Sequence, residues 1–413
     1  MAPSDLSVAE RSNNVNDNDN QSRPETEKQL TFMDSNLYRA AAEGRTTDDF
    51  KKPNHVHKLD QLLTPNRNTI LHIHITASTN DETLFVEEIL KLCPQLLLQA
   101  NAKGEIPLHM GARYGHAHIV ESLIKRVKAN HNEDLERGIE AAKQMLRMTN
   151  KENDTSLHEA VRFRHLDVVR LLTNEDPDFL HYANEAGETP LYMAAERGYR
   201  DVVHEILENC SSPATGGPNG RTVLHAATIA NDEAMTREVL YQNKLEKLDL
   251  TKQADENGWI PLHHAASLNY LEIVKLLLEK DKYTAYLANY EGMTALHIAA
   301  SYGYCKIMKE ILSRSPDCCD LVDKRGWNVL HFAVEGRDHI DAVDVILNDS
   351  SLSYLINEKD KNGNTPFHHV AISLNDSWAL ANHPRVDKMA FNKENRNALD
   401  IVSTNKDIQL FKL

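Results

Sequence analysis

Cysteine is scarce: five residues (Cys93, Cys210, Cys305, Cys318, Cys319) in 413, irregularly spaced. They are too few for a disulfide framework and read as reduced thiols in a cytosolic protein. Positive charge is also short, 46 Lys+Arg against 61 Asp+Glu, for a net charge of −15. Nucleic acids and anionic bilayers are bound through clustered basic faces, so neither is expected as the main partner. No run of about 18 apolar residues occurs, and nothing in the sequence reads as a bilayer span. The N-terminus carries no apolar signal segment, Ala2 stands where a myristoylated Gly would, and Phe411-Lys412-Leu413 is no prenylation box. Aromatic residues make up 6%, with only three Trp, yet 41% hydrophobic and 26% charged residues are ordinary for a folded chain. Histidine, at 21, is the count that does not fit an average protein.

Self-similarity accounts for the histidines. A Leu-His pair recurs at Leu71-His72, Leu108-His109, Leu157-His158, Leu224-His225, Leu262-His263, Leu296-His297 and Leu330-His331. Leu191-Tyr192 and Phe367-His368 are variants, and Ala398-Leu399-Asp400 is a weak last echo. The commonest step is close to 33 residues, and the fullest copies are Gly187-Glu188-Thr189-Pro190-Leu191-Tyr192-Met193-Ala194-Ala195 and Gly292-Met293-Thr294-Ala295-Leu296-His297-Ile298-Ala299-Ala300. That period and core resemble the ankyrin repeat. The expected fold is all-α: an ankyrin-repeat solenoid of helix-turn-helix units with β-hairpin loops, about nine repeats plus caps.

Each residue type in the block has a physical job. The Gly four before the Leu (Gly104, Gly187, Gly220, Gly258, Gly292, Gly326, Gly363) permits the positive φ of a tight turn. Thr two before the Leu (Thr155, Thr189, Thr222, Thr294, Thr365) suits a helix N-cap, and Pro107, Pro190, Pro261 and Pro366 occupy the first turn harmlessly. The residue three after the Leu is small (Gly111, Ala160, Ala194, Ala227, Ala265, Ala299, Ala333), which lets a second helix approach. Gly115, Gly198, Gly303, Asn231 and Asn269 are placed to end the first helix in the left-handed conformation. Aliphatic spacing then marks a second helix, as in Ile119, Val120, Leu123, Ile124 or Ile273, Val274, Leu276, Leu277. One such unit cannot bury its own apolar face, so stacking must supply the core.

No catalytic or metal-binding pattern survives inspection. Zinc needs ligands within about 2 Å of one point. One His per unit, separated by about 10 Å of helix packing, cannot converge. The anchor imidazoles are instead expected to hydrogen-bond backbone between adjacent loops. The stretch 216–222 lacks the Gly-Lys-Ser/Thr ending of a phosphate loop. The acidic run beginning at Glu358 has His369 where a calcium loop needs its twelfth-position Glu. His158-Glu159 has its next His at 165, the wrong spacing for a zinc-protease helix. No cofactor is expected, and the chain does not read as an enzyme.

Along the chain, 1–29 reads as a disordered tail, 30–65 as N-terminal capping helices, 66–404 as the repeat array and 405–413 as a C-terminal tail. An insertion near 129–147, with Leu135, Ile139, Ala142, Met145 and Leu146 at helical spacing, reads as an extended helix or finger leaving the array. A partner is expected on the concave strip formed by turn tips and first helices, where packing leaves sequence free. The candidate contacts are Trp259, Leu268, Tyr290, Met293, Tyr302, Trp327, Arg113 and Tyr114. Exposed aromatics are frequent hot-spot residues, although each Trp has the alternative of packing on the next hairpin.

Strings more specific than the repeat block carry a further resemblance. Leu59-Asp60-Gln61-Leu62-Leu63-Thr64-Pro65-Asn66, Phe85-Val86-Glu87-Glu88-Ile89-Leu90 and Arg325-Gly326-Trp327-Asn328-Val329-Leu330-His331-Phe332-Ala333-Val334 are similar to the ankyrin half of plant ankyrin-transmembrane proteins of the accelerated-cell-death type. The resemblance implies a non-catalytic interaction scaffold in plant stress, defence or cell-death signalling, with protein partners that include related ankyrin-transmembrane proteins. It also implies a plasma-membrane or endomembrane setting, conferred in that family by a C-terminal Pro-Gly-Gly domain with several membrane helices. The present sequence ends soon after Asn397-Ala398-Leu399-Asp400-Ile401-Val402, where that half would begin. The expected location is therefore cytoplasmic, or peripheral at the plasma membrane through partners. The alternative role is a soluble relative that binds and modulates full-length membrane members.

Overall fold

The structure, a computed structural model, describes residues 31–46, 50, 58–130, 134–336, 339–373 and 377–404; the tails at 1–29 and 405–413 lie outside them. Each unit starts at a left-handed turn. At Gly292 φ is +85°, and a Cβ there would lie 2.8 Å from the backbone nitrogen of Lys324 in the next unit, so both the sign of φ and the close approach demand glycine. Two residues on, Thr294 caps a short helix by accepting the His297 N–H at 3.4 Å. The first helix then ends at a second left-handed residue, Gly303 here (φ +73°), and the outer helix begins. Arg164 holds this position in the third unit at φ +57°, where the sequence offers neither Gly nor Asn.

The N-terminal cap is α1 (Ser35–Ala42), which packs on α2 (Ile70–Ala77). Units one to four pair α2 with α3 (Leu84–Leu92), α4 (Pro107–Tyr114) with α5 (Ala117–Ala129), α7 (Ser156–Arg162) with α8 (Leu166–Glu175), and α9 (Pro190–Glu196) with α10 (Arg200–Asn209). Units five to eight pair α11 (Val223–Ile229) with α12 (Glu233–Tyr241), α13 (Pro261–Ser267) with α14 (Leu271–Lys280), α15 (Ala295–Ser301) with α16 (Cys305–Arg314), and α17 (Val329–Glu335) with α18 (His339–Leu347). The ninth unit pairs α19 (Pro366–Ser373) with the five-residue α20 (Trp378–Asn382), and α21 (Ala398–Thr404) closes the described chain. First helices stack on first helices and outer helices on outer helices, giving two layers around one continuous apolar core. The anchor leucines are buried throughout that core, whereas Leu399 on α21 is 61% exposed because the described chain places no outer helix over it.

Two features depart from the sequence reading. Residues 30–65 include a small parallel pairing, β1 (Thr31–Phe32) with β2 (Leu62–Leu63), between segments too far apart for local periodicity to reveal. The insertion forms α6 (Leu135–Arg147), which lies on α5 and α7 instead of projecting from the array. Gly138 allows this contact, since a Cβ there would meet the Lys128 carbonyl oxygen at 2.8 Å. Met145 and Leu146 are buried as their spacing suggests, but Leu135 is 75% exposed and Ile139 also faces solvent.

A backbone ladder joins successive turn tips. Ala102 N–H donates to Asn66 (2.8 Å), Lys151 to Lys103 (2.9 Å) and Glu185 to Glu152 (2.9 Å). Beyond a gap, Glu256 donates to Asn219 (2.9 Å), Tyr290 to Asn257 (3.5 Å), Lys324 to Glu291 (3.0 Å), Lys361 to Arg325 (2.9 Å) and Lys393 to Asn362 (3.0 Å). The gap falls at Pro218, which has no N–H to give.

Candidate partner-binding surface

Eight anchor imidazoles share one bonding pattern. On one side Nδ1 faces the backbone N–H of the residue three earlier, as from Thr155 to His158 (3.1 Å), Thr222 to His225 (3.0 Å), Ile260 to His263 (3.0 Å) and Thr294 to His297 (3.1 Å). On the other side Nε2 reaches a carbonyl of the next unit, as from His72 to Glu105 (2.8 Å), His225 to Trp259 (3.0 Å), His297 to Leu321 (3.0 Å) and His331 to Asn364 (3.2 Å). A nitrogen facing an N–H must accept and one facing a carbonyl must donate, so the neutral Nε2–H tautomer is fixed. Burial agrees: it pushes the pKa of His225, His263, His297 and His331 down to about 4. Among the described residues no group of three or more side chains converges as a metal site.

The candidate strip is charged at one end and aromatic at the other. Arg113 bridges two buried carboxylates, Glu105 (2.5 Å) and Glu159 (2.8 Å) of the next unit, and Arg162 continues the cluster to Glu159 (2.6 Å) and Asp154 (2.8 Å). Burial alone would raise the Glu105 carboxyl, but bonds from Asn101 and Arg113 outweigh it and hold the pKa below its ordinary value. Arg113 therefore ties units two and three together. Beside it Tyr114 is exposed, with its ring stacked near His116.

In the aromatic part, Leu268 (40% exposed) and Tyr290 (64%) are open to solvent, while Met293 and Tyr302 are half-buried against the core. Both indoles are also half-buried. Trp259 lies 5.1 Å from the His264 ring, and His264 donates from Nε2 to Asp255 at 3.0 Å. Trp327 carries the Arg325 guanidinium 3.6 Å over its face and meets His369 of the next unit at 4.5 Å. His369 sits between Glu335 (3.0 Å) and Asp360 (3.1 Å). The residues therefore fall into a Tyr114 group and a group running from Trp259 to Trp327. Phe163, at the end of the third unit's first helix where Tyr114 stands in the second, is exposed as well and is not among the candidates drawn from the sequence.

The thiols are unactivated. Burial pushes Cys210 up to about 11 and Cys318 up to about 12, and it raises Cys93, Cys305 and Cys319 as well. Among the described residues no helix is long and apolar enough to cross a membrane.

The two-layer stack, the left-handed turn tips and the imidazole ladder together define a repeat protein built from stacked helical hairpins. Matches to known families agree: the profile described as ankyrin repeats (3 copies) covers 127–215, 209–286, 241–321 and 282–353, and the single ankyrin repeat covers 103–134. The chain belongs to the ankyrin repeat family. It is 26% identical to Protein ACCELERATED CELL DEATH 6 of Arabidopsis thaliana over 238 residues, 53% of this chain and 34% of that protein. It is 27% identical to NF-kappa-B inhibitor zeta of Homo sapiens over 268 residues, 62% of this chain and 34% of that protein. The chain thus spans about a third of the length of these relatives. Among solved structures, the ankyrin repeat domain of Bcl-3 aligns with TM-score 0.47 at 22% identity, covering 59% of this chain and 98% of that one. Ankyrin repeats serve protein–protein interaction, and the fold is typically a non-catalytic scaffold.

Proposed function

We propose that this chain is a non-catalytic protein-interaction scaffold in plant stress or defence signalling, and that its partner docks on the strip from Trp259 to Trp327. The observation that supports it is the run of apolar side chains on successive units, with Leu268 and Tyr290 exposed beside the half-buried Trp259, Met293, Tyr302 and Trp327. Apolar residues clustered at one face of a monomer mark interaction sites. The plant signalling context is supported by the family-specific strings and the similarity to Protein ACCELERATED CELL DEATH 6. Location follows the partner, cytoplasmic or peripheral at the plasma membrane.

The test uses exposed residues so that folding is not disturbed. Leu268→Ser with Tyr290→Ser should leave the melting temperature nearly unchanged, because exposed substitutions typically stay within about 0.5 kcal/mol. The same pair should abolish co-precipitation of a protein recovered from plant extract with the unaltered chain. A variant that retains every such partner refutes the strip. Recovery of a membrane-bound ankyrin relative as the lost partner would favour the modulator role over an independent scaffold.

A further inference from the structure

We propose that the turn tips of the last three units form a docking edge for an extended acidic segment bearing a carboxylate at every third residue. This rests on the reading of the array as a protein-binding module, but it uses the tip edge and not the apolar strip. The same tip position is Glu185, Pro218, Glu256 and Tyr290 in units four to seven, then Lys324, Lys361 and Lys393 in three consecutive units. All three lysines are exposed, and none forms an ion pair among the described residues. The carboxylates of the same three tips are engaged elsewhere, Asp323 with Arg325, Asp360 with His369 and Glu394 with Arg396, while Glu291 adjoins Lys324 from the preceding tip. A chain of net charge −15 thus carries a row of unpaired cations at one end of one edge.

The backbone ladder fixes the spacing of that row. Lys324 and Arg325 are neighbours, with Cα atoms about 3.8 Å apart, and the Arg325 carbonyl accepts the Lys361 N–H. Across such a bond Cα atoms lie about 5 Å apart, so the Cα atoms of successive lysines stand at most about 9 Å apart along the edge, a span their flexible side chains can match. The step repeats from Lys361 through Asn362 to Lys393. A polyproline II segment turns once in three residues and rises about 3.1 Å per residue, close to 9 Å per turn. A carboxylate at every third residue of such a segment meets one lysine per unit, all on one face. Electrostatic matching of this kind selects register more than it adds affinity.

The experiment measures fluorescence polarisation of a labelled (Glu-Pro-Pro)4 peptide with the full chain at low salt. A block peptide of the same composition, a (Lys-Pro-Pro)4 peptide and single-stranded DNA serve as comparisons. The periodic peptide should bind about tenfold more tightly than the block peptide, and the difference should fade as salt shortens the Debye length. Lys324→Ser, Lys361→Ser and Lys393→Ser together should remove the preference, and Lys361→Ser alone should weaken binding about threefold. Lys103→Ser with Lys151→Ser, on distant tips, should change nothing. Equal binding of the block peptide or of DNA would show diffuse attraction to polyanions and overturn the proposal, as would undiminished binding by the triple variant. If the peptides fail while Leu268→Ser and Tyr290→Ser still lose their partner, the edge is refuted and the scaffold reading stands.

Discussion

His297 shows why this residue type recurs at the anchor. As the third residue of its helix it takes the place of the Glu or Gln of a capping box, its Nδ1 accepting the Thr294 N–H at 3.1 Å. The same ring spans to Leu321 at 3.0 Å, which a carboxylate, having only acceptors, would not do. The recurrence was legible in the sequence and so was the bond between units. The reach back to the helix start was not, because a Leu-His pair does not say which nitrogen faces which backbone group. His297→Ala should leave a buried N–H and a buried carbonyl without partners, destabilising by about 2–4 kcal/mol in urea unfolding. Turn glycines separate into two kinds by the same reasoning. Gly198 has φ +71° with nothing within 4 Å of a Cβ, whereas Gly292 adds the 2.8 Å approach to Lys324. Gly198→Ala should therefore cost about 1 kcal/mol of backbone strain and Gly292→Ala about 3 kcal/mol, both read from chemical denaturation.

At the scale of elements, helix existence was readable from spacing, but what a helix leans on was not. The spacing of α6 reads as a helix leaving the array, but the helix lies on its neighbours through Gly138, which gives no hydrophobic signal, while Leu135 and Ile139 of the same stripe face solvent. The function of this helix is electrostatic as well as apolar. Asp176, at the end of α8, is fully buried and accepts Arg147 Nε at 2.7 Å, with Lys143 at 3.7 Å. Arg147→Ala should strand that carboxylate and cost about 3 kcal/mol, the low end for breaking a buried pair because Lys143 remains. Asp176→Asn combined with Arg147→Ala should recover part of the loss in a double-mutant cycle. The strip followed the same logic. Its positions were legible from the repeat register, but the half-burial of Trp327 depends on His369, a neighbour from the next unit that no local pattern supplies.

The whole array inherits the chemistry of its histidines. Five of them, at 158, 225, 263, 297 and 331, have folded pKa values pushed down to about 4 by burial, against about 6.5 unfolded. Their contribution is complete above the unfolded value. As pH falls below it the unfolded chain binds protons first, so each ring removes up to about 1.4 kcal/mol per pH unit until the folded ring protonates near pH 4. Circular dichroism should show the melting temperature dropping steeply below about pH 6 and helicity collapsing above about pH 4. The array is not uniformly coupled, however. Between units four and five the tip ladder lacks its bond at Pro218, and Tyr192 replaces the imidazole, its ring lying where a Cβ on Gly217 would be 2.2 Å away. Thr189 takes over in part, its hydroxyl and N–H donating to the Gly216 carbonyl at 2.8 and 3.2 Å, while the outer helices keep the Arg200–Asp232 pair and His204 on Glu238 at 2.7 Å. Nearest-neighbour coupling sets how many units unfold together, so this junction should divide the chain into two cooperative blocks. All three tryptophans, at 259, 327 and 378, lie beyond it, so indole fluorescence reports the C-terminal block alone while circular dichroism reports both. The two urea curves should separate in the natural chain and merge when Tyr192→His and Pro218→Lys restore both ladders; coincident curves in the natural chain would mean that Thr189 and the outer pairs suffice to carry cooperativity across the break.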